Sequence, residues 1–439
     1  MRTSRKSNWE PEKIATILER PDFKLTDRAA LASEWQQRLQ SATLADPPLY
    51  FVSPATREDL SEILQQCDRH AWPVLPCGSG SKLNWGGLLT QPVALALSTQ
   101  RLDRIIEYAI GDLTATVEAG VKLADLQTLL ARHGQFLPLY PTAPESTTIG
   151  GLVATADTWR HRYGGARDSI LGLSFARADG QIAKAGGRVV KNVAGYDLMK
   201  LFTGSYGSLG IITQVTFRTY PLPPDSATLV LSGDSDDIAR VAQTLIASNL
   251  APVQADVLSR AVTRASGWKE GLSIVARFQS IPESVREQCA QLEAIGKQCS
   301  LQAQNYRDAE EVALWERLQE LIRNPASPDA VTCKIGVAPA DAVEFCDRAD
   351  SISEQRSLTA LHLGVGLGRL QLEGENPLPA LKQLRQLCQE KQGFLTILEA
   401  PARLKQQIEP WGYTGNALTL MNKIKQQFDP KNILSPGRY

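Results

Sequence analysis

The sequence has few of the residues that build metal and iron–sulfur sites. Only four histidines occur in 439 residues: His70, His133, His161 and His362. The seven cysteines are odd in number and none has a CxxC spacing, which argues against a disulfide framework, a zinc ribbon and an iron–sulfur ligand run. We therefore predict reduced thiols and no metal site in this chain.

The sequence also lacks net charge and long apolar runs. Lys plus Arg and Asp plus Glu both number 47, so no global field recruits nucleic acid or an anionic membrane. The N-terminus has basic residues but no apolar signal segment, and no apolar run approaches eighteen residues. We expect a cytoplasmic protein that binds no nucleic acid and does not span the membrane.

Glycine, by contrast, is concentrated between residues 146 and 222. This stretch holds twelve of the 32 glycines and one proline, and it carries nine Lys or Arg against four Asp. Glycine lets the backbone approach a ligand closely and tolerates positive φ. The pattern suggests peptide N–H groups wrapped around a large flat cofactor that carries phosphates.

The order of patterns predicts an α+β protein with more than one domain, as its length requires. Thr56 and Asp59 form a capping box that opens a helix, and strands are expected at 50–52, 73–76, 115–119 and 210–220. The prolines of PLPP at 221–224 mark a boundary, after which short strands alternate with helices as in a ferredoxin-like domain. We predict an N-terminal extension (1–46), a cofactor domain (47–222), a cap or substrate domain (223–395) and a C-terminal segment (396–439) that returns to the cofactor domain.

The loop CGSGSKLNWGG, residues 77–87, follows a predicted strand. It is not a dinucleotide fingerprint, because Leu83 stands where the third glycine belongs, and it is not a P-loop, because Ser81 precedes Lys82. Two interpretations remain for this loop. It is either an ordinary tight turn, or an anion-binding nest formed by the main-chain N–H groups of residues 78–81.

Four stretches together resolve that choice by resemblance. This loop, PTAPESTTIGGLVATA, YGGARDSILG and GSYGSLGIITQV resemble, in order and spacing, the flavin domain of the vanillyl-alcohol oxidase (PCMH-type) flavoprotein family. The ending FDPKNILSPGRY resembles that family's C-terminal signature. The resemblance implies a two-subdomain FAD-binding domain, a ferredoxin-like α/β cap, and FAD held without a covalent link, since no histidine lies at 77–81.

The same resemblance implies a set of residues around FAD. Gly78, Ser79, Gly80 and Ser81 would hold the diphosphate, and main-chain amides near residue 150 would converge on it. The remaining positions are Pro141 and Thr142 at the isoalloxazine edge, Ile149, Gly150, Gly151 and Ala154 along the ribityl and diphosphate path, and Gly207, Gly210, Ile211 and Ile212 at the adenine. The three isoleucines have simple core packing as their alternative role. Related D-2-hydroxyacid dehydrogenases usually have an acidic residue at the position of Tyr206 and an arginine at the position of Cys77.

The catalytic positions of such relatives are poorly represented. In place of HxGDGNxH stands HLGVGLGR, where Val365, Leu367 and Arg369 replace the aspartate, the asparagine and the second histidine. Oxidation of a 2-hydroxy acid needs a cation for the carboxylate and a base for the hydroxyl. The candidates are Arg369 and Arg438 as carboxylate clamps and Tyr196 and Glu399 as proton acceptors, each with an ordinary structural role as the alternative.

Within the family, KNVAGYDLMKLFTGSYGSLG is most similar to the second flavoprotein subunit of bacterial glycolate oxidase (glycolate dehydrogenase). This implies oxidation of glycolate to glyoxylate in a complex with a catalytic flavoprotein subunit and an iron–sulfur subunit, with any inner-membrane association made through those partners. The alternatives are a self-sufficient FAD-dependent oxidoreductase of another 2-hydroxy acid or alcohol, and a flavin-free scaffold that has kept only the fold.

Overall fold

The computed structural model describes residues 9–158, 162–191, 195–323, 327, 329–413 and 415–438. The chain divides into two compact units, with residues 1–158, 164–221 and 414–439 in the first and residues 159–163 and 222–413 in the second. Its strands are β1 (Leu25–Asp27), β2 (Tyr50–Val52), β3 (Val74–Cys77), β4 (Leu95–Ser98), β5 (Ile105–Ala109), β6 (Thr114–Glu118), β7 (Gln135–Phe136), β8 (Ile170–Ala176), β9 (Ile182–Gly186), β10 (Ile211–Arg218), β11 (Tyr220–Pro221), β12 (Asp225–Gly233), β13 (Gln254–Leu258), β14 (Leu272–Ser280), β15 (Gln302–Arg307), β16 (Val331–Gly336), β17 (Ser357–His362), β18 (Leu367–Leu372) and β19 (Phe394–Glu399).

The helices complete the element order. They are α1 (Pro11–Leu18), α2 (Ser33–Ser41), α3 (Arg57–His70), α4 (Leu123–Ala131), α5 (Ile149–Thr155), α6 (Ala166–Ser169), α7 (Leu198–Phe202), α8 (Ser235–Ala247), α9 (Arg260–Ala265), α10 (Pro282–Gln298), α11 (Asp308–Arg323), α12 (Ala342–Ile352), α13 (Leu378–Glu390), α14 (Ala402–Lys405) and α15 (Ala417–Phe428). Among the described residues, no helix combines the length and the apolar character that crossing a bilayer requires.

The first unit contains two main sheets. One has the order β1-β2-β4-β3, with β2, β4 and β3 parallel, and the other is antiparallel with the order β5-β6-β10-β8-β9. The capping box predicted at the start of α3 is confirmed, because Asp59 N donates to Thr56 Oγ1 and Thr56 N donates to Asp59 Oδ2, both at 3.1 Å. The apolar face of α3 is buried against this parallel sheet.

The N-terminal residues are part of this unit rather than an extension from it. Ile14 and Leu18 of α1 are fully buried in the same apolar cluster as Leu60 and Ile63 of α3. The polar composition of residues 9–46 concealed this role, because α1 and α2 are short and each buries few residues.

The C-terminal segment returns to the first unit and pairs with β3. Val74 N donates to Ile433 O at 2.7 Å, and Ser435 N donates to Val74 O at 2.8 Å. The return begins at residue 414 rather than at the predicted 396, because β19 is hydrogen-bonded to β16 in the second unit. The sequence pattern did not separate the strand at 394–399 from the helix that precedes it, so the predicted boundary falls inside this strand.

The second unit is built on one antiparallel sheet with the order β15-β12-β14-β13-β17-β18-β16-β19. Two successive βαββαβ segments form it, β12 to β15 and β16 to β19, and each has the ferredoxin-like strand order 4-1-3-2. One face of the sheet is apolar and packs against α8, α10, α12 and α13. The sequence predicted one such domain, and the structure has two halves joined where β13 pairs with β17.

A buried ion pair fixes the C-terminal return and gives a test of it. Lys425 Nζ donates to Asp429, to Ser208 O at 2.9 Å and to Leu434 O at 2.7 Å, while Asp429 accepts from Leu434 N at 2.7 Å. We expect Lys425→Met to lower the free energy of unfolding by about 3–5 kcal/mol, since it leaves the Asp429 carboxylate buried without its cation. Urea unfolding measures this, with the exposed Lys423→Met as the control at about 0.5 kcal/mol or less. Equal midpoints for the two variants would contradict this account of the return.

Candidate functional site

The site begins where the chain leaves β3 and turns at residues 78–81. Gly80 has φ +78°, and a Cβ placed there would lie 2.8 Å from Cζ3 of Trp35 on α2. A Cβ at Gly78 would lie 2.1 Å from Thr148 Oγ1, the N-cap of α5. Glycine is therefore required at 80 by the backbone conformation and at 78 by the closeness of the Thr148 side chain.

The polar groups of this turn are arranged for an anion. Arg38 Nη1 donates to Ser79 O, and Ser98 Oγ donates to Gly78 O at 3.0 Å, so these two carbonyls have partners outside the turn. Within the described part of the chain, the main-chain N–H groups of residues 78–81 donate no hydrogen bond. Several unpartnered N–H groups in one short turn form the nest that binds phosphate oxygens.

A cavity opens beside this turn in the first unit. It brings together the loop after β3, helix α5 and the chain that leads into β10. The predicted cofactor residues that line it are Gly78, Ser79, Gly80, Ser81, Gly150, Gly151, Ala154, Gly207, Gly210, Ile211 and Ile212. The stretches near residues 79 and 150 thus line the same cavity.

The stretch near residue 150 lines the cavity, but its main-chain N–H groups are already hydrogen-bonded within the unit. The N–H groups of Ile149, Gly150 and Gly151 donate to Val121 O at 2.9 Å, Ala119 O at 2.7 Å and Thr148 Oγ1 at 3.3 Å. The expectation that these amides reach a diphosphate is therefore wrong, because bonds inside the unit already use them. Ile149 does not line the cavity and is fully buried, as in its alternative role in the core.

Pro141 and Thr142 also lie outside the cavity lining, but Thr142 is tied to it through Asp157. The Thr142 N–H and Oγ1 each donate to the Asp157 carboxylate at 2.9 Å. Asp157 in turn lies 3.3 Å from the ammonium of Lys82, which does line the cavity. In the sequence Lys82 stands out only because the loop fails as a P-loop, and this pair could not be predicted, since nothing in the local pattern links residues 82 and 157.

Arg438 is the second buried cation of the cavity wall. It is 4% exposed, donates to Leu83 O at 3.0 Å and Trp85 O at 2.9 Å, and lies over the ring of Tyr206. Burial lowers the pKa of its guanidinium to about 10, which still leaves it charged at neutral pH. The predicted role as a substrate clamp does not fit these contacts, because Arg438 joins the C-terminal segment to the loop after β3.

The two positions where the sequence departs from related dehydrogenases both line the cavity. Burial raises the pKa of the Cys77 thiol to about 12, so the thiol is protonated at neutral pH and is a poor nucleophile. Tyr206 has φ +53°, and its N–H donates to Ala154 O at 2.8 Å. These residues supply a neutral wall where charged groups were the expectation from relatives.

The other candidate catalytic residues are not gathered at this cavity. Tyr196 is 91% exposed, which excludes it from a buried site within its own unit, and residues 192–194 of the KNVAGYD stretch lie outside the described residues. Arg369 and Glu399 belong to the second unit, on β18 and β19. Within the described ranges, no three His, Cys, Asp or Glu side chains converge in a way that would hold a metal ion.

Arg369 shares one face of the eight-stranded sheet with other polar side chains. It is 8% exposed and pairs with Lys334 of β16 and with Ala360 of β17. Because paired residues share a face and side chains alternate along a strand, His362 lies on that face too, and Asp256 of β13 pairs with it. Glu399 pairs with Thr332 at an irregularity near the end of the same strip.

Asp256 is the chemically unusual member of this strip. It is 2% exposed, its Oδ2 accepts from Gln254 Nε2 at 2.5 Å, and its Oδ1 has no partner among the described residues. Burial raises the pKa of its carboxyl to about 7. A carboxyl with a pKa near neutrality is suited to exchange protons at physiological pH, and no local pattern marks Asp256 in the sequence, because an aspartate in a strand has no motif.

The cavity of the first unit fits FAD. The unpartnered amides of residues 78–81 suit its diphosphate, and two buried cations, Lys82 and Arg438, line the same cavity. Residues 48–186 match the family model of the FAD binding domain, and residues 403–439 match that of the FAD linked oxidases, C-terminal domain. The chain is therefore a flavoprotein with a PCMH-type, α+β FAD-binding fold.

More specifically, it is an FAD-dependent oxidoreductase, as its relatives indicate. It is 28% identical over 419 residues to glycolate oxidase subunit GlcD of Bacillus subtilis, covering 89% of this chain and 88% of that protein. It is 27% identical over 412 residues to D-lactate dehydrogenase of Archaeoglobus fulgidus, covering 88% and 90%. The structure of p-cresol methylhydroxylase has the same fold, with a TM-score of 0.75 at 14% identity over 98% of this chain and 95% of that one.

Two alanine variants test the geometry of the turn. Gly134 also has positive φ, +67°, but no atom lies within 4 Å of a Cβ placed there. We expect Gly134→Ala to cost about 1 kcal/mol of stability from backbone strain alone. Gly80→Ala adds the clash with Trp35, so we expect about 2–4 kcal/mol and a clear loss of bound FAD.

Urea unfolding and the flavin absorbance of the purified variants measure the two effects. Equal stability losses in Gly80→Ala and Gly134→Ala, with full flavin content in both, would show that the turn at 78–81 does not hold the cofactor.

Proposed function

We propose that this chain oxidises a small 2-hydroxy acid with FAD, and that it is the FAD-binding subunit of a glycolate oxidase that converts glycolate to glyoxylate. The observation that carries the proposal is the FAD cavity of the first unit, together with the two relatives that cover most of the chain and whose names state a glycolate oxidase subunit and a D-lactate dehydrogenase. Both names refer to substrates that carry a hydroxyl group beside a carboxylate.

The polar strip of the second unit has the groups that such a substrate needs. Lys334 and Arg369 place two cations side by side, which suits a carboxylate. Asp256 lies on the same face and suits the role of acceptor for the hydroxyl proton. Its carboxyl is buried and one of its oxygens has no partner in the described residues. In such an oxidation the substrate loses a proton from its hydroxyl and a hydride from its α-carbon, and FAD supplies the two-electron acceptor.

The proposed role as a subunit rests on the residues that replace the HxGDGNxH motif in the HLGVGLGR stretch. Relatives with HxGDGNxH carry an aspartate, an asparagine and a second histidine where this chain has Val365, Leu367 and Arg369. We propose that a catalytic flavoprotein subunit carries the main turnover and that an iron–sulfur subunit accepts the electrons. A self-sufficient oxidoreductase of another 2-hydroxy acid or alcohol is the second candidate, and the Asp256 strip is the observation that favours it.

Bleaching of the flavin band separates these proposals. The holoprotein is mixed anaerobically with glycolate, D-lactate and a simple alcohol, alone and then with its co-purified partners. We expect bleaching by 2-hydroxy acids and not by the alcohol. Bleaching that needs the partners supports the accessory subunit, and bleaching by the isolated chain supports the self-sufficient enzyme. An oxidised flavin under every condition would overturn the 2-hydroxy acid proposal.

The role of Asp256 predicts a pH dependence. As a proton acceptor it must be deprotonated, so the rate of flavin reduction should rise as pH increases through about 7. Asp256→Asn should lower that rate by about 100-fold or more and abolish this rise. The exposed Asp236→Asn on α8 is the control, with the flavin content of each variant checked first. An unchanged pH profile in Asp256→Asn would exclude Asp256 as the acceptor.

A further inference from the structure

Lys82 is an unusual residue in the wall of the FAD cavity. It directly follows the turn at 78–81, it lines the cavity, and its side chain is 6% exposed. Its ammonium donates to Thr147 Oγ1 at 2.7 Å and lies 3.3 Å from Asp157 Oδ2. The charge of Lys82 is therefore directed past the turn, toward the segment around residues 142–157.

The partners of Lys82 fix the position of that charge. Asp157 is fully buried at its side chain and is itself held by the N–H and the hydroxyl of Thr142. Thr147 and Thr142 lie in the segment before α5, and Asp157 follows α5. Three separate pieces of chain thus meet at one buried ion pair, which leaves the ammonium little freedom to move.

Burial of this pair needs a reason other than stability. Removing two charges from water costs several kcal/mol per ion, and apolar residues of similar volume are often as stabilising as a buried pair. A cation in the wall of a cofactor cavity has a further effect, because it favours whichever state of the bound cofactor is more negative. The ring system of FAD becomes more negative on two-electron reduction, whereas its diphosphate keeps the same charge.

The rest of the cavity indicates which part of FAD meets Lys82. The open amides of residues 78–81 suit the diphosphate, and Gly207, Gly210 and Ile211 line the cavity on the β10 side. Arg438 also lines that side, over the ring of Tyr206, but its guanidinium is engaged by the carbonyls of Leu83 and Trp85. This side suits the adenine, whose charge does not change, which would leave the ring that gains charge on the side of Lys82 and Asp157.

We propose that Lys82 stabilises the negative charge that the flavin ring gains on reduction, and that Asp157, Thr142 and Thr147 position its ammonium. The proposal concerns the bound FAD and does not depend on which substrate the chain oxidises. Because Lys82 and Asp157 carry opposite charges, removal of one or the other should shift the midpoint potential of the flavin in opposite directions.

The test is the midpoint potential of the bound flavin, measured by dye equilibration without substrate. Lys82→Met removes the cation and leaves Asp157, so the reduced flavin should bind at least tenfold more weakly relative to the oxidised one, which lowers the potential by about 30 mV for a two-electron couple. Asp157→Asn leaves the cation unopposed and should raise the potential by a similar amount. The double variant should lie between them, and the exposed Lys122→Met is the matched control.

Opposite shifts in the two single variants support the proposal. Shifts of the same sign, or no shift in either, would overturn it and leave Lys82 as a structural residue. If Lys82→Met does not retain FAD, Asp157→Asn decides alone, since an unchanged or lower potential in that variant contradicts an unopposed cation beside the ring. Lys82→Arg should keep the potential closer to that of the unsubstituted protein than Lys82→Met does.

Discussion

The turn after β3 must leave a row of main-chain N–H groups without internal partners, and the rest of the first unit is built to permit that. Such groups are costly when they are buried and unpaired, so the turn is stable only with an anion or water against it. Its positive φ at Gly80 and its contact with Thr148 at Gly78 are the conditions for that arrangement. A diphosphate such as that of FAD carries the oxygen acceptors and the negative charge that such a turn suits.

Both ends of the chain support this turn. Trp35 and Arg38 of α2 contact it from one side, and Arg438 near the C-terminus bonds to the carbonyls just beyond it. The C-terminal return is itself held by Lys425 and Asp429. Cofactor binding and completion of the first unit are therefore linked, because residues more than 300 positions apart form the same wall.

The sequence predicted what depends on local pattern. The capping box at Thr56 and the α+β class follow from spacing and are confirmed, and glycines from three separate stretches, at 78 and 80, at 150 and 151, and at 207 and 210, line one cavity. It did not predict what depends on contacts between distant segments. The Lys82–Asp157 pair, the support from Trp35 and the buried Asp256 have no motif, and the amides near Gly150 are used by Ala119 and Val121 in a way that only the folded chain reveals.

The most direct test of the account is an experimental structure of the chain with FAD bound. The account predicts that diphosphate oxygens lie about 3 Å from the main-chain nitrogens of residues 78–81, within ordinary hydrogen-bond distance. A diphosphate held elsewhere, with these nitrogens facing water or other parts of the protein, would contradict it.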